Sequence, residues 1–208
     1  MIDIKETPPK TKANKTDRRR RPGRKVEILQ AVITLLEKGE YKVTTAALAA
    51  EVGLSEAALY RHFTGKTAIF KALTDYISDH LLKPADKLVK SNDSAIKQLK
   101  KLFNYNLGFF ADHPGLCRVF LMGGVVPQAE AEQMVKAIGE YRSSVKKLML
   151  QAQKNRDLVK GVDIDAATDL YVGMLQAATL RFVISDFKKP PTDEAASAWK
   201  LFTQAVAK

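Results

Sequence analysis

The stretch "TTAALAAEVGLSEAALYRHFTGK", Thr44–Lys66, decides how this chain is to be read. It parses as two short helices around a tight turn. Thr44 or Thr45 caps the first helix, and Leu48, Ala49 and Val52 lie on one of its faces. Gly53 supplies the turn, because a residue without a Cβ enters the left-handed region at little cost. Ser55 caps the second helix, in which Leu59 and Phe63, four apart, point inward together with Leu54. Ser55, Glu56, Ala57, Tyr60 and Arg61 then point outward. A helix that faces only water needs no particular order of polar residues. A helix laid in the DNA major groove does, and small residues at its leading end let the backbone approach base edges. Tyr60 and His62 can donate to phosphate oxygens, Arg61 or Ser55 can read bases, and Lys66 opens the next helix, where free amides also favour a phosphate.

A helix, a glycine turn and a second helix also occur in ordinary bundles, so the neighbouring sequence matters. The chain has 208 residues and a net charge of +11, and residues 1–25 hold ten basic residues against three acidic ones, so seven of the eleven positive charges lie there. That segment contains Pro8, Pro9, Pro22 and Gly23 and almost nothing apolar, so residues 1–24 are expected to be a disordered basic arm. Such an arm is either a solubilising tail or an electrostatic contact with phosphates through Arg18, Arg19, Arg20, Arg21 and Arg24. Beside a helix-turn-helix the second reading is favoured. Val26, Leu29, Val32, Ile33 and Leu36 predict a helix that precedes the turn motif and ends near Gly39.

"TTAALAAEVGLSEAALYRHFTGKTAIF" resembles the DNA-binding region of the TetR family of regulators, with "LYRHF" and the following lysine as its most specific elements. The resemblance is strong over about Val26 to Leu73. It implies an all-α fold of about nine helices: an amino-terminal three-helix DNA-binding domain with a helix-turn-helix, expected over residues 25–70, and a larger helical ligand and dimerisation domain over 71–208. It also places Thr44, Ser55, Tyr60, His62 and Lys66 on the family's DNA-contact positions. Gly65 and Thr67 depart from the serine and glutamate usual at the start of the fourth helix. "HPGLCRVF" and "LRFVISDFKKPPTDEAASAW" further resemble a subgroup of the family, the nucleoid occlusion factors, which bind dispersed chromosomal sites and antagonise the division protein FtsZ. The arginine arm and "KLFNYNLGFFAD" depart from that subgroup, so FtsZ-contact residues are not carried across.

Beyond Thr67 helices are expected throughout. Phe70, Leu73, Ile77 and Leu81 belong to a long one that Pro84 is expected to kink or interrupt. Ile96, Leu99, Leu102 and Phe103 turn inward in the next, which stops at Pro114 and Gly115, and a further helix covers about Gln128 to Asn155. The last two helices carry Gly173, Ala177, Ala178 and Arg181, then Trp199, Phe202 and Val206. They either close the chain's own core or contribute to a four-helix homodimer interface, and the dimer is the expectation. A two-fold pair of reading helices would bind a palindromic double-stranded site. The family resemblance also implies a small-molecule effector pocket, with Tyr105, Phe109, Phe110, Cys117, Met122 and Met174 as candidate lining. The same residues read equally well as core packing.

The expected function is that of a transcriptional regulator and repressor, and other classes find little support. No nucleophile elbow, phosphate-binding glycine loop or metal-ligand spacing occurs, so neither an enzyme nor a cofactor or metal site is expected. Asp75, Asp79 and His80 lie together on one helix, but with lysines nearby they read as a solvated face. No run approaches a membrane span, the amino terminus shows no secretory pattern, and the single cysteine fits a reducing compartment. A cytoplasmic, nucleoid-associated protein is expected, without membrane binding.

Overall fold

The apolar periodicity is realised as helices. The computed structural model describes residues 23–40, 43–89, 93–121 and 128–208. Among the described residues the chain forms nine helices in the order α1 (Arg24–Glu37), α2 (Thr45–Glu51), α3 (Glu56–Tyr60), α4 (Lys66–Val89), α5 (Ala95–Asp112), α6 (Pro114–Leu121), α7 (Gln128–Lys154), α8 (Ile164–Ile184) and α9 (Ala195–Val206). The arm residues Arg18, Arg19, Arg20 and Arg21, and Met122, lie outside the described residues.

Four of these helices close in the same way. Gly39 (φ 83°) and Gly53 (φ 65°) end α1 and α2 in the left-handed region. After α1, the Gly39 and Glu40 amides donate to the carbonyls of Leu36 (3.1 Å) and Leu35 (3.0 Å). These paired bonds satisfy carbonyls that the helix itself leaves open. The same pair closes α2, where Gly53 donates to Ala50 and Leu54 to Ala49. At the ends of α7 and α8 the left-handed position falls to Arg156 (φ 64°) and Asp186 (φ 52°), and Phe187 (φ 59°) continues the second turn.

One contiguous core runs through the molecule, from Ile28, Leu36, Leu48 and Leu59 through Phe70, Leu73, Phe103 and Phe110 to Tyr171, Trp199 and Phe202. The structure shifts the expected register of α1. Val26 is 53% exposed and Leu29 half-buried, whereas Ile28, Ala31 and Leu35 are buried beside Val32, Ile33 and Leu36. Because α1 packs against α2, α4 and α6, its buried arc is wider than one stripe. In the long helix α4 the expected interruption at Pro84 does not occur, since the helix spans Lys66–Val89 with the proline inside it. The helix packs against α5 and α7, and proline forfeits only one of its backbone bonds. It also crosses residue 70, so the two expected domains share a helix.

At the carboxy end, α9 turns the opposite way from the sequence expectation. Trp199, Phe202 and Val206 are buried in the chain's own core, with Trp199 5.9 Å from the Phe103 ring and Phe202 5.9 Å from Tyr171. A short helix with one apolar stripe presents that stripe to the large aromatic surface of α5 and α8. Its outward side carries Leu201, 68% exposed. Helix α8 is apolar on both sides: Tyr171, Leu175, Ala178 and Phe182 face inward, while Leu170, Leu180 and Ile184 are exposed at 47%, 49% and 74%.

Candidate nucleic-acid interface

The α2–α3 unit is built from local bonds that its sequence dictates. Thr44 adopts an extended backbone, and its hydroxyl accepts from the Ala47 amide at 3.1 Å. Ser55 repeats the device before α3, accepting from Ala58 at 3.2 Å. Each satisfies one of the amides that a helix start leaves without a partner. The Thr45 hydroxyl donates to the Glu56 carboxylate at 2.7 Å, which fixes the start of α3 against the start of α2. Lys38 bridges to Glu51 at 2.9 Å and ties the end of α1 to the end of α2. Sequence reasoning missed both ties, because each joins residues with no periodic relation to one another.

Burial then divides α3 into two sides. Leu59 and Phe63 are 1% and 6% exposed, and Leu54 is half-buried. Ser55, Glu56, Ala57, Tyr60 and Arg61 are exposed, and His62 is half-buried at the edge. Helix α3 has five residues, after which the amides of His62 and Phe63 both donate to the Leu59 carbonyl. Lys66 is exposed at the first residue of α4, with its ammonium 5.4 Å from the Phe70 ring. Of the expected contact residues, Thr44 is exposed, Thr45 is half-buried and bonded to Glu56, and Arg24 pairs with Glu27.

Lys25, which sequence reasoning passed over, stands 5.6 Å from the Phe63 ring and adds a cation beside α3. Its position next to the basic arm was the available signal. The small residues at the front of α3, the hydroxyl and guanidinium behind them and the cations of Lys25 and Lys66 are all exposed, with the Glu56 carboxylate held by Thr45 beside them. Such a surface suits a polyanion with readable edges.

The helices from α4 onward hold the other expected residues. Phe110 and Cys117 are fully buried and Phe109 nearly so; Phe109 and Phe110 lie 5.5 Å apart, and the Cys117 thiol donates to the Phe110 carbonyl. Burial pushes the Cys117 thiol up to about 12. Tyr105 is half-buried, and desolvation raises its phenol above the ordinary range. Met174 is half-buried on α8. Gly173 is half-buried and Ala177 exposed on the outward side of α8, while Arg181 is half-buried and bound to Glu194 at 2.7 Å. Asp75 pairs with Lys71 and Asp79 with Lys83, and the His80 ring bonds the Tyr76 carbonyl, so these three do not converge on one point.

Residues 28–73 match the family model described as bacterial regulatory proteins, tetR family, and residues 93–207 match that of a tetracyclin repressor-like carboxy-terminal domain. The chain belongs to the TetR family. It is accordingly a DNA-binding regulator of a non-enzymatic family, with the helix-turn-helix of that family at its amino end. The nucleoid occlusion factor SlmA of Aliivibrio fischeri (strain MJ11) is 32% identical over 193 residues, 90% of this chain and 97% of that protein. SlmA of Edwardsiella ictaluri is 35% identical over 184 residues, 86% of this chain and 92% of that one. Among solved structures, the transcriptional regulator FadR from Bacillus subtilis, in complex with stearoyl-CoA, superposes with a TM-score of 0.74 at 14% identity. It covers 85% of this TetR-family chain and 96% of its own. At that identity the likeness extends to the fold. Among the described residues no helix is long and apolar enough to cross a membrane.

Proposed function

We propose that this TetR-family chain is a homodimeric transcriptional repressor that reads a palindromic double-stranded site with α3, its DNA affinity set through the carboxy-terminal domain. The observation that carries this reading is the two-sided division of α3, with Leu59 and Phe63 buried and Ser55, Ala57, Tyr60 and Arg61 turned outward. Ser55 and Arg61 read base edges, while Thr44, Tyr60, His62 and Lys66 hold phosphates. Glu56 orients the unit by accepting from Thr45. The dimer forms through Leu170, Gly173, Ala177, Leu180 and Ile184 of α8 and Leu201 of α9. Operator footprinting tests both parts. Two protected half-sites related by a two-fold axis are expected, and protection of one asymmetric half-site by a monomer would refute the dimer.

A second reading, nucleoid occlusion at dispersed chromosomal sites with inhibition of FtsZ-ring assembly, is favoured by the identity to SlmA proteins along nearly the whole chain. Genome-wide mapping of bound sites separates the two. One or two promoter sites fit a local repressor; many scattered sites, with altered FtsZ assembly in the presence of protein and DNA, fit occlusion.

A further inference from the structure

One buried arginine joins three parts of the molecule. Arg118, in the otherwise apolar helix α6, is 6% exposed. Its Nη1 donates to the Leu36 carbonyl at 3.0 Å, in the last turn of α1. Its guanidinium carbon lies 4.5 Å from the centre of the Phe187 ring, and Nη2 is 3.7 Å from Asp186 Oδ1. Asp186 and Phe187 form the left-handed turn that closes α8, where Phe187 also packs edge-on against Phe182 at 5.1 Å. One turn earlier on α6, Gly115 lies so close to α1 that a Cβ there would stand 2.5 Å from the Ile33 carbonyl oxygen. Helix α6 thus meets α1 backbone to backbone, and the arginine bridges from that joint to the end of α8.

We propose that Arg118 is a positioning residue for the DNA-binding unit, tying the last turn of α1 to the α8–α9 turn so that the α8 side of the molecule fixes how α1–α3 are held. A guanidinium fits this place because it is planar, permanently charged, able to stack on an aromatic ring and to donate from the same plane, and favoured at the negative end of a helix. A lysine offers a point charge and cannot do both. The turn is built to match. Asp186 occupies a left-handed position where glycine is the usual choice, and there its carboxylate faces the guanidinium. The proposal rests on α1–α3 being the DNA-binding unit, and on neither the individual base contacts nor the dimer.

The test measures the position of that unit directly. Nitroxide labels are placed at Gln30→Cys on α1 and Lys147→Cys on α7, both exposed positions. Cys117, buried and with its thiol pushed up to about 12, stays unlabelled. Labelled chains are diluted with unlabelled ones, and the distance distribution is read by double electron–electron resonance without DNA. Phe187→Leu preserves an apolar contact but removes the ring face, and Asp186→Gly removes the carboxylate while suiting the backbone. Phe187→Leu is expected to broaden the α1–α7 distribution and to lower affinity for a mixed-sequence duplex about three- to tenfold. Asp186→Gly is expected to broaden it less, with an unfolding midpoint equal to or above that of the parent. Arg118→Lys should resemble Phe187→Leu and fail to restore the parent distribution. Distributions indistinguishable from the parent in Phe187→Leu and Asp186→Gly would overturn the proposal, whatever the unfolding midpoints. A parent protein that bound no duplex would refute the DNA reading and leave the distance result standing.

Discussion

Two helix pairs in this molecule present outward faces of opposite chemistry. The α2–α3 pair hides Leu48, Ala49 and Leu59 and exposes hydroxyls, a guanidinium and a carboxylate, whereas α8 and α9 hide an aromatic cluster and still expose Leu170, Leu180, Ile184 and Leu201. A polar face is stable in water and can wait uncovered for a charged partner. A row of exposed leucine and isoleucine is a face that gains by being covered with protein. The contrast teaches how one chain keeps a polar and an apolar face apart: both pairs have caps and side-chain ties, but α2–α3 bury little and turn polar groups outward, whereas α8 and α9, tied by Arg181 to Glu194, bury an aromatic cluster on one side and leave the other apolar.

The contrast breaks most completely if its hidden side is removed. Leu59→Ala should destabilise the protein by about 2–5 kcal/mol, read as a lowered denaturant midpoint, and duplex binding should fall with it. Next in size, Ile184→Asp with Leu201→Asp should convert a dimer to a monomer in sedimentation velocity, a cost of at least about 2 kcal/mol in association, with helical content retained. An unchanged mass would show that the apolar face has another purpose. On the polar face, Lys66→Ala should weaken binding to every duplex by about 1 kcal/mol and reduce the salt slope by about one, and Tyr60→Phe should weaken it similarly with an unchanged slope. Equal affinity at all salt concentrations would remove Lys66 from the surface.

The smallest effect belongs to His113, at the end of α5. Burial holds the His113 imidazole below its ordinary range, against the pull of Asp112 and with the His80 ring adding to the depression. A depressed folded-state value means that the group contributes its full stability above the ordinary histidine range and loses it as pH falls. The thermal midpoint should therefore decline from pH 7 towards pH 5, and His113→Gln should flatten that decline. Asp165 and Asp169, held low by hydrogen bonds from Lys146 and Arg142, act by the same sign only in more acid solution, below the ordinary carboxylate range.

Much of this is legible in the sequence where the signal is local. Thr44, Gly53 and Ser55 mark their turns because capping and a left-handed φ restrict the residue types that fit, and Leu59 with Phe63 betrays the hidden side of a very short helix. Eight of the nine helices among the described residues follow, in their observed order, from periodicity and from stops such as Gly39 and Pro114, whereas α6 offers only a short apolar run. Periodicity states that a face is buried but not by what, so the stripe of α9 reads as a surface for a partner chain when it covers Phe103 and Tyr171 of its own. For α1 periodicity offers one stripe where three neighbouring helices bury a broader arc. The bridge from Arg118 to Leu36 spans 82 residues and leaves no periodic trace. Its one available sign is a charge set inside "LCRVFL".

The chain has a single tryptophan, Trp199, and the inward turn of α9 places it between Phe103 and Phe202 while Leu201 looks the other way. Its fluorescence therefore reports closure of the individual subunit and is blind to the mating of two. Emission that stays blue on dilution while the sedimenting mass halves would give folding and association separate spectroscopic addresses in one unmodified protein.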